Sequence, residues 1–243
     1  MTTTDIGPTS RWLRLIPTRT PGKRRLAQTL LEHRLPRGES RVTDRLGLSY
    51  RVPDLHEPAA FSLLVDGVYQ RDVLEVVLEL LPEDGTFVDV GANVGAFALP
   101  AACRVGQGGR VFALESSGPL FQCLRANAAV NGLANVTAVN AAVDDVDRAW
   151  LDQLLIDGNV RHVDVMRIAD GGAELNFAAS AATLIARPEP PVFVFESTGQ
   201  GDAQQVLIAE GYTLWQLSAY RRRRPPLTAP MTTGATTIIA KRI

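Results

Sequence analysis

Two acids and two glycines stand where they could grip a nucleoside. Asp89 precedes the turn Gly91-Ala92-Asn93-Val94-Gly95, and Glu115 lies 24 residues after Gly91. Glycine lets a ligand approach the backbone closely. A carboxylate about 20 residues beyond such a turn is placed to accept from ribose hydroxyls. A dinucleotide fingerprint needs glycine at its first, third and sixth positions. Here these hold Gly91, Asn93 and Ala96, so the middle glycine is missing and a nicotinamide dehydrogenase is disfavoured. The spacing Asp-x-Gly-x-x-x-Gly suits a cofactor with no pyrophosphate to cradle. An ordinary strand-to-helix turn would show the same glycines. The joint register of Asp89 and Glu115 tips the reading towards a nucleoside site.

The elements that must position these residues are short. Phe87-Val88-Asp89-Val90 reads as a buried parallel strand after the Asp84-Gly85 turn signal. A helix is expected after Gly95, presenting unpaired N–H groups at its start. Arg110 to Leu114 is a second strand, and Ser116-Ser117-Gly118-Pro119 opens another helix. Further along, strands are expected near 136–140, 163–168, 192–196, 213–217 and 236–241, with helices near 94–104, 118–130, 173–186 and 202–210. Pro100 should bend the first of these helices, and Asn131-Gly132 should stop the second. Upstream, Tyr69 to Leu81 carries a helical stripe of Val73, Val76, Val77, Leu80 and Leu81. Lys23 to His33 has helical spacing through Leu26, Leu30 and Leu31, residues 42–52 suggest a hairpin, and 53–58 a loop. Alternating strands and helices predict an open, mostly parallel sheet with helices on both faces. The Arg221–Pro226 loop has no clear helix, so the last two strands should run antiparallel.

Composition narrows the class. The chain has 243 residues, 46% of them apolar, enough for one domain with a large core. Residues 1–58 read as a basic, partly disordered arm with a short helix, and residues 59–243 as the folded domain. Residues 1–51 hold eleven Arg/Lys against four Asp/Glu, so the remainder is acidic. A solvated arm is preferred to a nucleic-acid contact, since aromatic residues do not interleave with the basic ones. Cys103 and Cys123 read as reduced core residues, and three scattered histidines argue against a metal site. The chain lacks an apolar run of the roughly 20 residues a membrane span needs. It shows no secretory signal, which predicts a cytoplasmic protein.

Several motifs then line up in order. They are Gly67-Val68-Tyr69-Gln70, Val88 to Gly95, Arg110 to Ser116, Leu124-Arg125-Ala126-Asn127 with Asn131-Gly132-Leu133, Asn135 to Val143, Leu151-Asp152, and Val163 to Ile168. Together they resemble the FkbM-type S-adenosylmethionine-dependent methyltransferase family over about residues 60–240. The resemblance implies a class I methyltransferase (Rossmann-like) fold: a mostly parallel seven-stranded sheet with one antiparallel strand. It implies S-adenosylmethionine as cofactor. Asp89, Gly91, Ala92, Asn93 and Gly95 would surround its amino-acid end. Glu115 would hold the ribose, Ser116 would lie beside the adenine, and Asn140, Ala141 and Ala142 along adenine or ribose. It also implies O-methylation of a hydroxyl on a saccharide, polyketide-type or related natural product, a small-molecule or saccharide acceptor. No nucleic acid is expected as partner, and an oligomer is left open.

The chain departs from the family after the fourth strand. Where relatives carry Lys-Ile-Asp-Val-Glu-Gly-Ala-Glu, this chain has Arg167-Ile168-Ala169-Asp170-Gly171-Gly172-Ala173-Glu174. Ala169 and Gly171 replace two acids, and Gln70 replaces a family Glu. Asp170, Glu174 and Glu196 are the candidate catalytic residues. Their bland readings are helix N-terminal charges for the first two and a solvated strand end for Glu196. The competing function is a catalytically impaired cofactor-binding relative that serves as a scaffold.

Overall fold

The computed structural model describes residues 12–18, 20–31, 33–141, 160, 162–169, 182–197, 203–222, 225–231 and 236–242. Seven strands form one sheet: β3 (Thr86–Val90), β4 (Arg110–Leu114), β5 (Val136–Val139), β6 (Val165–Ile168), β7 (Val192–Ser197), β8 (Tyr212–Gln216) and β9 (Thr236–Arg242). Their spatial order is β5-β4-β3-β6-β7-β9-β8. The first five run parallel, and β9 runs antiparallel to both β7 and β8. All seven strands lie where the apolar runs predict them. A separate hairpin pairs β1 (Ser40–Thr43) with β2 (Ser49–Val52).

Side chains alternate across a strand, and the alternation divides the core in two. Phe87, Val111, Ala113, Val165, Val194 and Ile239 point to one face. Val88, Val90, Phe112, Leu114, Met166, Ile168, Phe193 and Phe195 point to the other. By the same parity Asp89 and Arg167 belong to the first face. That face is covered by helices α2 (Pro58–Asp66), α3 (Arg71–Leu80), α4 (Ala98–Val105) and α5 (Gly118–Val130). The second face packs against α6 (Ala182–Ile185) and α7 (Ala203–Ala209).

The N-terminal segment joins the first core rather than hanging free of it. Leu13, Ala27, Leu31, Tyr50 and Val52 are buried in it. Helix α1 (Lys23–Leu31) corrects the expected stripe, because it buries Lys23, Ala27 and Leu31 and leaves Leu26 and Leu30 exposed. The cause is electrostatic. Lys23 Nζ donates to Asp66 Oδ1 at 2.6 Å and to the Ile16 carbonyl at 2.9 Å, which turns the lysine edge of the helix inward.

Other elements differ from the sequence reading for identifiable reasons. Helix α2 has no amphipathic period to announce it, since Ala59, Ala60 and every residue from Ser62 to Asp66 is buried. Helix α4 begins at Ala98, not near 94, so Pro100 falls in its first turn. An N–H there has no intrahelical partner to lose, and no bend is required. Cys103 is exposed rather than in the core, while Cys123 is buried. A short helix α8 (Leu217–Arg221) follows β8, where a loop was expected. Among the described residues no helix is long and apolar enough to cross a membrane, and no group of three His, Cys, Asp or Glu could hold a metal.

Candidate functional site

The turn after β3 is built from three left-handed residues: Gly91 (φ 75°), Asn93 (φ 53°) and Gly95 (φ 94°). The N–H groups of Gly91 and Ala92 both donate to the Leu114 carbonyl, at 3.0 and 2.8 Å, and staple the turn to the end of β4. Asn93 tolerates its backbone because its own Oδ1 accepts from the Val94 N–H at 2.8 Å. A Cβ on Gly91 would come within 3.0 Å of Ala169 Cβ.

Glu115 faces this turn. Its Oε2 accepts from the Asn93 N–H at 2.8 Å, and its Oε1 from the Ser117 N–H at 2.9 Å. An ionised carboxylate offers about four lone-pair sites, so two remain for a diol. Asn140 pins the neighbouring strand end above it, with Nδ2 donating to the carbonyls of Glu115 (2.8 Å) and Ser116 (3.2 Å).

Asp89 lies on the floor beneath. It is fully buried, and Arg167, its partner in the β3–β6 register, donates from Nη1 to Oδ1 at 2.8 Å. Oδ2 makes no hydrogen bond of good geometry, although the Ala98 N–H reaches the carboxylate and works against the rise in its pKa. Burial pushes the Asp89 carboxyl above its ordinary pKa, the Arg167 charge opposes that rise, and the Glu115 charge adds to it. The Arg167 guanidinium in turn sits over the Phe97 ring, 3.7 Å from its centroid. Phe97 meets Tyr69 edge-on at 6.2 Å. Gln70, the next residue, donates from Nε2 to Glu196 Oε1 at 2.5 Å.

Of the residues singled out from sequence, Asp89, Gly91, Ala92, Asn93, Gly95, Glu115, Ser116, Asn140 and Ala141 gather at the carboxyl ends of β3, β4 and β5. Glu196 stands near the end of β7, two strands along from β3. Ala142, Asp170 and Glu174 lie outside the described residues. Four contributors were missed: Arg167, Phe97, Tyr69 and Asn127. Arg167 carried a usable signal, as a cation inside an apolar strand that pairs with the Asp89 strand. Asn127 carried none, since its partners are 76 and 33 residues away. From α5, and fully buried, it accepts from the Arg51 N–H (2.6 Å) and donates to the carbonyls of Arg51 (3.0 Å) and Val94 (2.9 Å). It therefore ties the hairpin to the turn.

Among solved structures, the precorrin-6y C5,15-methyltransferase of Geobacter metallireducens GS-15 superposes with a TM-score of 0.50 at 20% identity, covering 72% of this chain and 89% of that one. The Pyrococcus horikoshii transferase PH0793 superposes with a TM-score of 0.52 at 11% identity, covering 90% and 80%. The fold is that of the class I methyltransferases. In sequence the chain is 37% identical over 108 residues to the 23S rRNA (uracil(1939)-C(5))-methyltransferase RlmD of Klebsiella pneumoniae (strain 342). That match takes in 41% of this chain and only 24% of the relative's length. No family model matches the chain.

Proposed function

We propose that the chain is an S-adenosylmethionine-dependent methyltransferase acting on a hydroxyl of a saccharide or polyketide-type natural product. The observation that carries the reading is Glu115, whose carboxylate faces the Gly91–Gly95 turn and keeps acceptor capacity for the vicinal hydroxyls of a ribose. The donor set fits the cofactor. Ser116 would lie beside the adenine, with Asn140 and Ala141 along adenine or ribose. Asp89, Gly91, Ala92, Asn93 and Gly95 would surround the amino-acid end. S-Adenosylmethionine supplies a methyl group made electrophilic by its sulfonium. Of the candidate catalytic residues Asp170, Glu174 and Glu196, Glu196 is the one within the described residues. It would take the acceptor hydroxyl's proton as the oxygen bonds to the methyl carbon and that carbon's bond to sulfur breaks, leaving S-adenosylhomocysteine.

The RlmD match favours a nucleic-acid acceptor as a second reading. Three of the basic N-terminal residues are already committed inside the fold. Arg14 donates to the carbonyls of Thr43, Leu63 and Leu64, Arg45 to those of Asp66 and Arg14, and Lys23 to Asp66. Arg25, Arg34, Arg37 and Arg41 remain exposed, so the two acceptors are separated by experiment.

Calorimetric titration with S-adenosylmethionine and its demethylated product, S-adenosylhomocysteine, tests the proposal. The wild-type chain should bind both. Glu115→Ala should lose at least tenfold in affinity, because hydrogen bonds to a charged group are worth about 1.5–3 kcal/mol. Absence of binding to both compounds would refute the reading. Binding without transfer of labelled methyl to any hydroxyl would leave a cofactor-binding module, the role to which Ala169 at the end of β6 points.

A further inference from the structure

A cavity of about 430 Å³ opens between α1 and α2, within the ~300–1,000 Å³ usual for ligand pockets. Two helix faces wall it. Arg24 and Gln28 lie one turn apart on α1, beside the buried edge of Lys23, Ala27 and Leu31. Pro58, Phe61 and Ser62 keep the same kind of spacing on α2. Leu35 and His56 complete the lining. All of these residues lie outside the Gly91–Ser117 segment.

The polar groups here are held in place without being used up. Arg24 Nη2 donates to Ser62 Oγ, which donates in turn to the Pro58 carbonyl at 2.8 Å. That relay fixes the guanidinium against α2. A guanidinium has five N–H donors, and among the described residues Ser62 takes only one. Asp66 Oδ2 stands 3.9 Å from Arg24 Nε, too far for a hydrogen bond, and Lys23 already binds Asp66 Oδ1 at 2.6 Å. The Arg24 side chain is 61% exposed. His56 is anchored as well. Its backbone N–H and its Nδ1 both meet Asp54 Oδ1, at 3.0 and 2.7 Å, so Nε2 is the ring nitrogen left to face a ligand.

The charges around the cavity leave one cation in excess. Lys23 and Arg24 share the single charge of Asp66. Asp54 is engaged by His56 and lies in the field of Arg37, which together hold its carboxyl below the usual carboxylate range. One excess positive charge suits a monoanion better than a phosphate dianion. The open edge of a guanidinium matches a carboxylate through two parallel hydrogen bonds. Leu35 and Phe61 add apolar surface for a ring beside it.

We infer that this cavity binds a ring-bearing monocarboxylate, with the carboxylate on the open edge of Arg24 and the ring against Leu35 and Phe61. The site is separate from the turn that faces Glu115, and the inference does not rest on the methyltransferase reading. Helix α1 thereby recognises a ligand as well as packing on the core.

The test is a saturation-transfer NMR titration of the full chain. The probes are benzoate, phenylacetate and cyclohexanecarboxylate. Benzamide is the neutral control of the same shape, and phenyl phosphate and oligouridylate are the more highly charged controls. At least one carboxylate should bind with a Kd of about 1 mM or tighter, an ordinary affinity for so small a ligand. Arg24→Gln should weaken it at least tenfold, as the loss of hydrogen bonds from a charged donor does. Gln28→Trp, which fills the cavity from α1, should abolish it. Both positions are exposed, so both variants should keep the wild-type melting temperature. The assignment is overturned if no carboxylate binds by about 10 mM. It is overturned equally if either variant binds the carboxylate like wild type, or if any of the three controls binds as tightly as the best carboxylate. Carboxylate binding by a chain that binds neither S-adenosylmethionine nor S-adenosylhomocysteine would support this site and refute the methyltransferase reading; the reverse result would overturn this site alone.

Discussion

Replacing Arg167 by methionine probes the floor of the site most directly. The Asp89–Arg167 pair is 2.8 Å apart, with side chains 0% and 5% exposed. Coulomb's law at an effective dielectric of about 20 gives roughly 6 kcal/mol at that separation. Desolvation offsets much of this, and breaking a buried pair from one side typically costs about 3–5 kcal/mol. Arg167→Met should therefore lose about 3–5 kcal/mol near neutral pH, against a total of about 5–15 kcal/mol for an ordinary domain. The loss should depend on pH. Burial already raises the Asp89 carboxyl and Arg167 restrains it, so its removal raises the folded pKa further. A carboxyl with a raised folded pKa binds its proton more tightly in the native state. Its penalty is therefore absent below the unfolded pKa of about 3.9 and grows as pH rises through the folded value. Urea unfolding followed by circular dichroism, at about pH 5 and about pH 7.5, should show the variant recovering part of its deficit in acid. Adding Asp89→Asn should recover most of it at both. A loss below about 1 kcal/mol, or a double variant no better than the single one, would refute the reasoning.

Three further outcomes follow from named contacts. Asn127→Ala strands the Arg51 N–H and the carbonyls of Arg51 and Val94, and should cost about 2–4 kcal/mol in urea unfolding while weakening S-adenosylhomocysteine in calorimetry. Gly91→Ala meets both a left-handed φ of 75° and Ala169 Cβ at 3.0 Å; it should lose about 1–2 kcal/mol from the backbone alone, and Ala169→Gly should relieve only the collision. Tyr50→Phe removes a phenol that donates to Asp44 Oδ2 at 3.1 Å, and should cost about 1–2 kcal/mol. Burial raises the Asp44 carboxyl and the Tyr50 hydrogen bond lowers it, so this deficit should widen as pH rises, as chemical denaturation across pH would show.

The sheet was legible because each of its strands is a short apolar run bounded by turn chemistry, and parallel strands buried on both faces need little else. Helix α2 was not, because burial on all sides erases the period that marks an amphipathic helix. The exposed Leu26 and Leu30 show a different limit. Apolar spacing grouped Leu26, Leu30 and Leu31, but only Leu31 turns inward, on an edge shared with Ala27 and with Lys23, whose ion-pair partner Asp66 lies 43 residues away. In the site, the turn and Glu115 were readable as one contiguous strand–turn–strand unit. The role of Asp89 was less so. Its type and position suggested an open ligand to the cofactor, whereas the cross-strand register hands one of its oxygens to Arg167.

The two halves of the site are therefore held by different means. The side proposed for the cofactor is stapled within the segment from Gly91 to Ser117, where the Leu114 carbonyl and the Glu115 carboxylate each accept from two backbone N–H groups. The other side is assembled from far apart: Gln70 reaches Glu196 across 126 positions, and Arg167 reaches Asp89 across 78. Phe97 connects them, because it lies six residues past Gly91 and carries the Arg167 guanidinium on one contact and Tyr69 on another. Phe97 thus packs the turn against both the buried Arg167 and the neighbour of Gln70, so the two halves share one side chain even though their hydrogen bonds are separate.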